Sequence, residues 1–111
     1  MVDNYAKMRR TNAKARKYYE KLGHKVFIKQ HTRFDKDIWG LADGCFLTKK
    51  GRVVFIQIKS NRFSGEKEIR KFCNDWNCCF EIIMFKDRDD TPYIRSVVPN
   101  VTPNYINLKL K

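Results

Sequence analysis

Three residues of this chain, Asp43, Gln57 and Lys59, have types and spacing that could do chemistry together. Val53 to Ile58 is an apolar run interrupted only by Gln57, and Lys59 follows two residues later. Such a run predicts a central strand covered on both faces. Strand side chains alternate, so Gln57 and Lys59 point to the same face. A lysine is seldom buried without a partner or a task. Asp43 lies on the preceding strand-like run, Leu41 to Thr48, and a hairpin through Lys49-Lys50-Gly51-Arg52 carries that run back beside Gln57. One carboxylate, one amide oxygen and one ammonium would then converge, a set able to hold a hard divalent cation with a water beside it. Each residue also has an ordinary reading. Asp43 suits a turn before Gly44, Gln57 can be a polar group satisfied inside the sheet, and Lys59 can snorkel from a strand end.

The elements that must position these residues are legible in the pattern. Tyr5, Met8, Asn12, Ala15, Tyr19 and Leu22 recur at alternating spacings of three and four, which predicts a helix over Asn4 to Leu22 with one inward stripe, ended by Gly23. Val26 to Gln30 reads as a strand and His31 to Lys36 as a polar loop. Residues 38–48 and 52–60 form the hairpin. Ser64 is placed to cap a second helix with Glu66 and Glu68 in its first turn, and Ile69, Phe72, Cys73 and Trp76 on its buried face. Phe80 to Phe85 is a further buried strand, and Tyr93 to Val98 an edge strand bounded by Pro99. The expected architecture is α/β (α+β): one domain over residues 1–111, a mixed central sheet with a helix on each face in the order αβββαβ plus a strand, and a loosely held tail from about residue 100.

Composition narrows the partner. Twenty-four Lys and Arg stand against twelve Asp and Glu, for a formal charge of +12. Residues 1–36 alone hold eleven basic residues and three acidic ones, two-thirds of the excess. A basic excess of this size favours a polyanion, nucleic acid before a membrane surface. Cys45, Cys73, Cys78 and Cys79 lack CxxC spacing, which points to reduced thiols rather than zinc. No apolar run has the length of a membrane span or a signal peptide, so the chain is expected to be cytoplasmic, in a prokaryotic cell or a virus-infected host, and not secreted.

Three segments, Leu22-Gly23-His24-Lys25-Val26, Asp37-Ile38-Trp39-Gly40-Leu41-Ala42-Asp43 and Ile56-Gln57-Ile58-Lys59-Ser60, carry a family resemblance by their order and spacing. The chain resembles the PD-(D/E)xK nuclease superfamily, in the variant with Gln in place of the acidic residue of the third motif. Within it, the chain is similar to the small phage and archaeal members related to Holliday junction resolvases, over roughly Arg9 to Val98.

The resemblance implies a restriction-endonuclease-like core and a Mg²⁺-dependent DNA endonuclease acting on branched or otherwise structured DNA as a homodimer. Mg²⁺, with Mn²⁺ as a substitute, would be held by Asp43, the Gln57 side-chain oxygen and the Ile58 carbonyl, and Lys59 would steady the attacking water or the phosphate charge. Relatives usually carry a glutamate on the first helix. Counting back from the helix-ending glycine reaches Asn12 instead. Glu20 lies about 80° round the helix and roughly 12 Å further along, and reads as a solvated surface residue. Asp37 either assists from the loop or caps the strand entry. His31, Thr32 and Arg33 lie in the loop that would overhang the site and either touch the scissile phosphate or form a solvated loop, and His24 is structural. Trp39 either stacks on a base or anchors the loop from inside.

Phosphate grip is expected from Arg9, Arg10, Lys14, Arg16 and Lys17 on the first helix. Lys36, Lys49, Lys50, Arg52 and Arg62 would add to it around the site. The neutral Asn12 and Gln57 favour a rival reading, a non-catalytic nucleic-acid-binding protein that keeps the nuclease fold.

Overall fold

The computed structural model describes residues 4–29 and 37–100. Among those residues the elements run α1 (Asn4–Lys21), β1 (Lys25–Ile28), β2 (Gly44–Leu47), β3 (Val53–Ser60), α2 (Glu66–Trp76), β4 (Phe80–Phe85) and β5 (Tyr93–Val97). The expected order, αβββαβ with an added strand, is the observed one. The strands form one five-stranded sheet in the order β1-β2-β3-β4-β5. Neighbours pair antiparallel except β3 with β4, which run parallel and are joined through α2.

Alternation along β3 explains its central place. Val54 and Ile56 enter one core with Ala15 and Tyr19 of α1, together with Ile28, Phe46, Ile83 and Phe85. Phe55 packs against the other core, formed by Ala42, Phe80, Ile82 and Val97 with Ile69 and Cys73 of α2. Each helix therefore covers one face, and β3 is buried from both sides as its apolar run predicts. Full burial of a side chain such as Ile56 or Ile83 contributes about 1.5–3 kcal/mol.

Three expectations need correction. The inward stripe of α1 is Thr11, Ala15 and Tyr19, while Met8 and Leu22 are exposed and Asn12 is half-buried. Thr11 occupies its inward place because its hydroxyl is satisfied locally, donating to the Lys7 carbonyl at 3.0 Å. Leu22 lies past the helix end: the Gly23 N–H donates to the Glu20 carbonyl and the His24 N–H to that of Tyr19, a Schellman closure with Gly23 at φ 91°. Ser64 does not cap α2. The preceding residue is Gly65 at φ 76°, with no side-chain cap. Trp76 is not buried: it is the last residue of α2, 71% exposed, before Asn77 turns left-handed at φ 54°. Glu66 does open α2, and its carboxyl is held below the usual range by Arg70 and then Arg95, each at 3.2 Å.

Other expectations hold. His24 stacks on Phe46 (4.6 Å, 18°) and is structural. Glu20 is exposed, and no helix among the described residues is long and apolar enough to cross a membrane. The Tyr19 hydroxyl donates to Glu81 at 2.9 Å, tying α1 to β4.

Burial pushes the Cys73 thiol up to about 12, helped by the adjacent Cys78. The folded protein thus keeps a proton that the unfolded chain releases near pH 8.5. Stability from this group is complete below about pH 8.5 and is lost as pH rises toward 12. Denaturant midpoints should fall between neutral pH and about pH 10, and more shallowly in Cys73→Ala. An equal slope in both proteins would show that Cys73 is not the source.

Candidate active site

β2 begins three residues later than its apolar pattern suggests, and this places Asp43. The strand is Gly44–Leu47 rather than a run from Leu41, because residues 38–42 close a tight turn of their own. Ile38 and Ala42 bridge each other, the Leu41 N–H donates to the Ile38 carbonyl at 3.0 Å, and Trp39 and Gly40 both have positive φ (51° and 71°). Asp43 sits between this turn and β2, 8% exposed.

Asp43 is held from two strands. Its N–H donates to the Ile56 carbonyl (2.7 Å), and its own carbonyl accepts from the Lys29 N–H (2.8 Å). Its carboxylate Oδ2 accepts from the Ile58 N–H at 2.7 Å. This bond to a backbone donor fixes the direction in which the carboxylate points. Gly44 makes the clamp possible. A Cβ at that position would lie 2.1 Å from the Phe27 carbonyl oxygen and 2.8 Å from the Ile28 Cα. The glycine is therefore needed for close approach of β1 rather than for the turn that Asp-Gly suggests.

The hairpin register pairs Gly44 with Ile56, so Asp43 adjoins the Gln57-Ile58-Lys59 segment as the spacing predicts. Ile58 turns its N–H toward Asp43. A strand residue presents both backbone polar groups to the same side, so its carbonyl faces that gap too. Gln57 is 8% exposed, and its side-chain amide makes no hydrogen bond among the described residues. Lys59 is half-buried and makes no ion pair among them. Gln57 and Lys59 share the α2 face with Phe55, two residues apart each time. Asn12 belongs to α1, which covers the opposite face.

The oxygen donors at this point are the Asp43 carboxylate, the Gln57 amide and the Ile58 carbonyl. They suit a hard dication in kind, with a single negative charge among them. No group of three His, Cys, Asp or Glu side chains among the described residues gathers as a metal site. Asp37 is half-buried at the entry to the 38–42 turn. His31, Thr32, Arg33 and Lys36 lie outside the described residues.

The basic residues divide into two groups. Arg10 and Lys14 line a groove of about 510 Å³ with Lys7, Ser60, Lys86 and Arg88, where β3 and β4 end side by side on the α1 face. Lys7 pairs with Asp87 (3.0 Å) and Lys14 with Asp90 (3.2 Å), while Arg10 and Arg88 make no ion pair among the described residues. The Lys7 ammonium holds the Asp87 carboxyl below the usual range, with Asn61 adding to it. Arg9 and Lys17 are exposed on α1, and Arg16 is within 3.4 Å of the Val26 carbonyl. Arg62 is exposed just past β3.

Lys49, Lys50 and Arg52 do not surround the site. They are at the hairpin turn beyond the Leu47–Val53 pair, so Arg52 lies about 16 Å along the strand from Gln57. Lys7, Lys86 and Arg88 were not legible as groove residues, because the parallel pairing of β3 with β4 is what brings them to α1. Trp39 is 66% exposed and is not a buried anchor, since the left-handed turn projects it outward over Phe55 (5.5 Å) and Phe72 (5.7 Å).

Compared with known proteins, the chain matches no family model, no curated protein and no solved structure.

Two outcomes are expected. Gly44→Ala should cost about 1–3 kcal/mol or more, because the atoms in its way are backbone and cannot rotate aside. Chemical denaturation measures it, and an unchanged midpoint would mean that β1 does not press on Gly44. Duplex DNA affinity should fall with salt at a log–log slope of about −4 to −5. Replacing Arg10 and Arg88 together by Ala should reduce that slope by about two. Fluorescence anisotropy at several salt concentrations reads both numbers, and an unaltered slope would remove the groove from the DNA contact.

Proposed function

We propose that the protein is a nuclease that hydrolyses phosphodiester bonds in DNA, with Asp43, Gln57 and Lys59 at the reacting phosphate. The observation that carries this reading is the Gln57 side chain, a buried amide with no hydrogen bond among the described residues, next to the pinned Asp43 carboxylate. Leaving such an amide unsatisfied costs about 1–3 kcal/mol. A ligand oxygen or a cation at its free end would offset that cost, which is the arrangement expected of a site rather than of packing.

Asp43, Gln57 and the Ile58 carbonyl would hold Mg²⁺ or Mn²⁺. A dication there supplies neutralisation of the charge that develops on the phosphate, and a more acidic bound water. The chain's own contributions follow from where its residues sit. The Ile58 N–H orients the Asp43 carboxylate. Lys59, without a carboxylate partner among the described residues, is available to a phosphate oxygen or to the water that attacks phosphorus as the bridging P–O bond breaks. Arg10 and Arg88 would grip the neighbouring backbone. A single carboxylate among these three donors makes cation affinity weak until the DNA phosphate joins the site, so metal and DNA should bind cooperatively. A branched DNA and a homodimeric protein accompany this reading through the family resemblance.

The second reading, DNA binding without cleavage, draws on the same charge count: Gln57 is neutral, and Asn12 is both neutral and on the α1 face.

Cleavage of labelled four-way junction, single-stranded and duplex DNA in Mg²⁺, Mn²⁺ or EDTA separates the two. We expect cleavage with either metal and none in EDTA. Asp43→Asn keeps an oxygen to accept from the Ile58 N–H and loses only the charge, so it should fold and bind DNA like the parent and cleave nothing. A parent that binds every substrate and cuts none would leave the binding reading in place of the enzyme.

A further inference from the structure

Next to the candidate site is an aromatic cavity that hydrolysis does not use. Trp39, Phe55, Phe72, Trp76 and Cys78 line an apolar hollow of about 330 Å³, a size in the range of small-ligand pockets. Both tryptophans of the chain are in it, and both are mostly exposed, at 66% and 71%. Their rings do not collapse onto each other. Phe72 lies between them, 5.7 Å from Trp39 and 6.3 Å from Trp76, with Phe55 and Phe80 behind. Trp39 is held outward by a backbone at φ 51°, a conformation that is uncommon for a bulky residue.

We propose that this cavity takes an unpaired nucleobase of a bound DNA strand, stacked against Trp39 and Trp76. Two observations select that occupant. The first is continuity: Phe55, the cavity wall, precedes Gln57 and Lys59 on the same face of β3. About 7 Å along the strand separates wall from Gln57, so a base in the cavity leaves its own strand's phosphate backbone beside those residues. The second is charge: at +12 the chain attracts a polyanion. Every base offers a flat π-face to aromatic side chains, so the pocket would accept bases with little sequence preference. Fully paired duplex presents no free face, and the pocket therefore favours single-stranded, junction or distorted DNA. The inference rests on the DNA-binding part of the proposed function and not on hydrolysis.

The test is run in EDTA, so that cleavage plays no part. Binding of a short oligothymidine should quench tryptophan emission. Trp39→Ala or Trp76→Ala should weaken single-strand affinity by roughly 5- to 150-fold, leaving duplex affinity and its salt slope unchanged. Trp39→Phe, which keeps a ring, should restore most of the loss. The same strand with abasic sites should bind the parent as weakly as the intact strand binds Trp39→Ala. Equal single-strand affinity of parent and both alanine variants, in proteins of unchanged circular dichroism, would overturn the proposal. So would light scattering that shows Trp39→Ala turning a dimer into a monomer with oligothymidine affinity intact, since the cavity would then be a contact between copies. A parent that never cleaves DNA but shows the quenching and the tryptophan effects would refute hydrolysis and uphold the base pocket.

Discussion

The structure turns on how Asp43 is held. Its N–H reaches β3, its carbonyl receives β1, and its carboxylate takes the Ile58 N–H, so one residue ties three strands together. The approach of β1 that permits this leaves no room for a single carbon atom on Gly44. A buried carboxylate without partners would be protonated or expelled. Here a backbone donor, the Ile58 N–H, fixes the direction of the carboxylate. Gln57 and Lys59 inherit their positions from the same register, since Gly44 opposite Ile56 sets which residues come next.

Around that point the sheet separates two kinds of surface. The α1 face ends in a groove where cations predominate and acids occupy some of them: Asp87 and Asp90 each take a lysine, and Arg10, Lys86 and Arg88 make no ion pair among the described residues. Exposed ion pairs of this sort add little to stability; their effect is to set which charges remain for a ligand. The α2 face carries a cluster of aromatic rings, with Arg95 stacked over Phe63 and paired to Glu66 at its edge. β3 is the element whose alternation contributes to both surfaces, Ser60 to the groove and Phe55 to the aromatic cluster.

Much of this was legible from residue pattern. The apolar run around Gln57 identified β3, because a strand buried on both faces leaves few alternatives, and the Lys49–Arg52 turn fixed the hairpin that returns Asp43 to it. The helices were legible in extent but less so in facing. Met8 and Leu22 fit the inward stripe by spacing, yet among the described residues α1 buries Thr11, Ala15 and Tyr19. Trp39 and Trp76 misled for a shared reason: large aromatics are read as core by default, while here one follows a left-handed turn and the other ends a helix at a left-handed cap. The groove was the least legible part. Lys7 and Arg88 meet only because β3 and β4 run parallel, and no local periodicity announces contacts so distant in the chain.

That contrast in sequence distance has a consequence for how the molecule opens. The Asp43–Ile58 bond closes within one hairpin, fifteen residues apart, whereas Lys14 reaches the Asp89 carbonyl across seventy-five. Local and long-range contacts need not melt together. If the first helix lifts from the sheet, the cationic groove is dismantled at once, because half of its wall departs, while the carboxylate hairpin keeps its own hydrogen bonds. Loss of grip and loss of the carboxylate's geometry are therefore separate events along the unfolding coordinate. Warming or mild denaturant would open the groove before it disturbs the Asp43 hairpin.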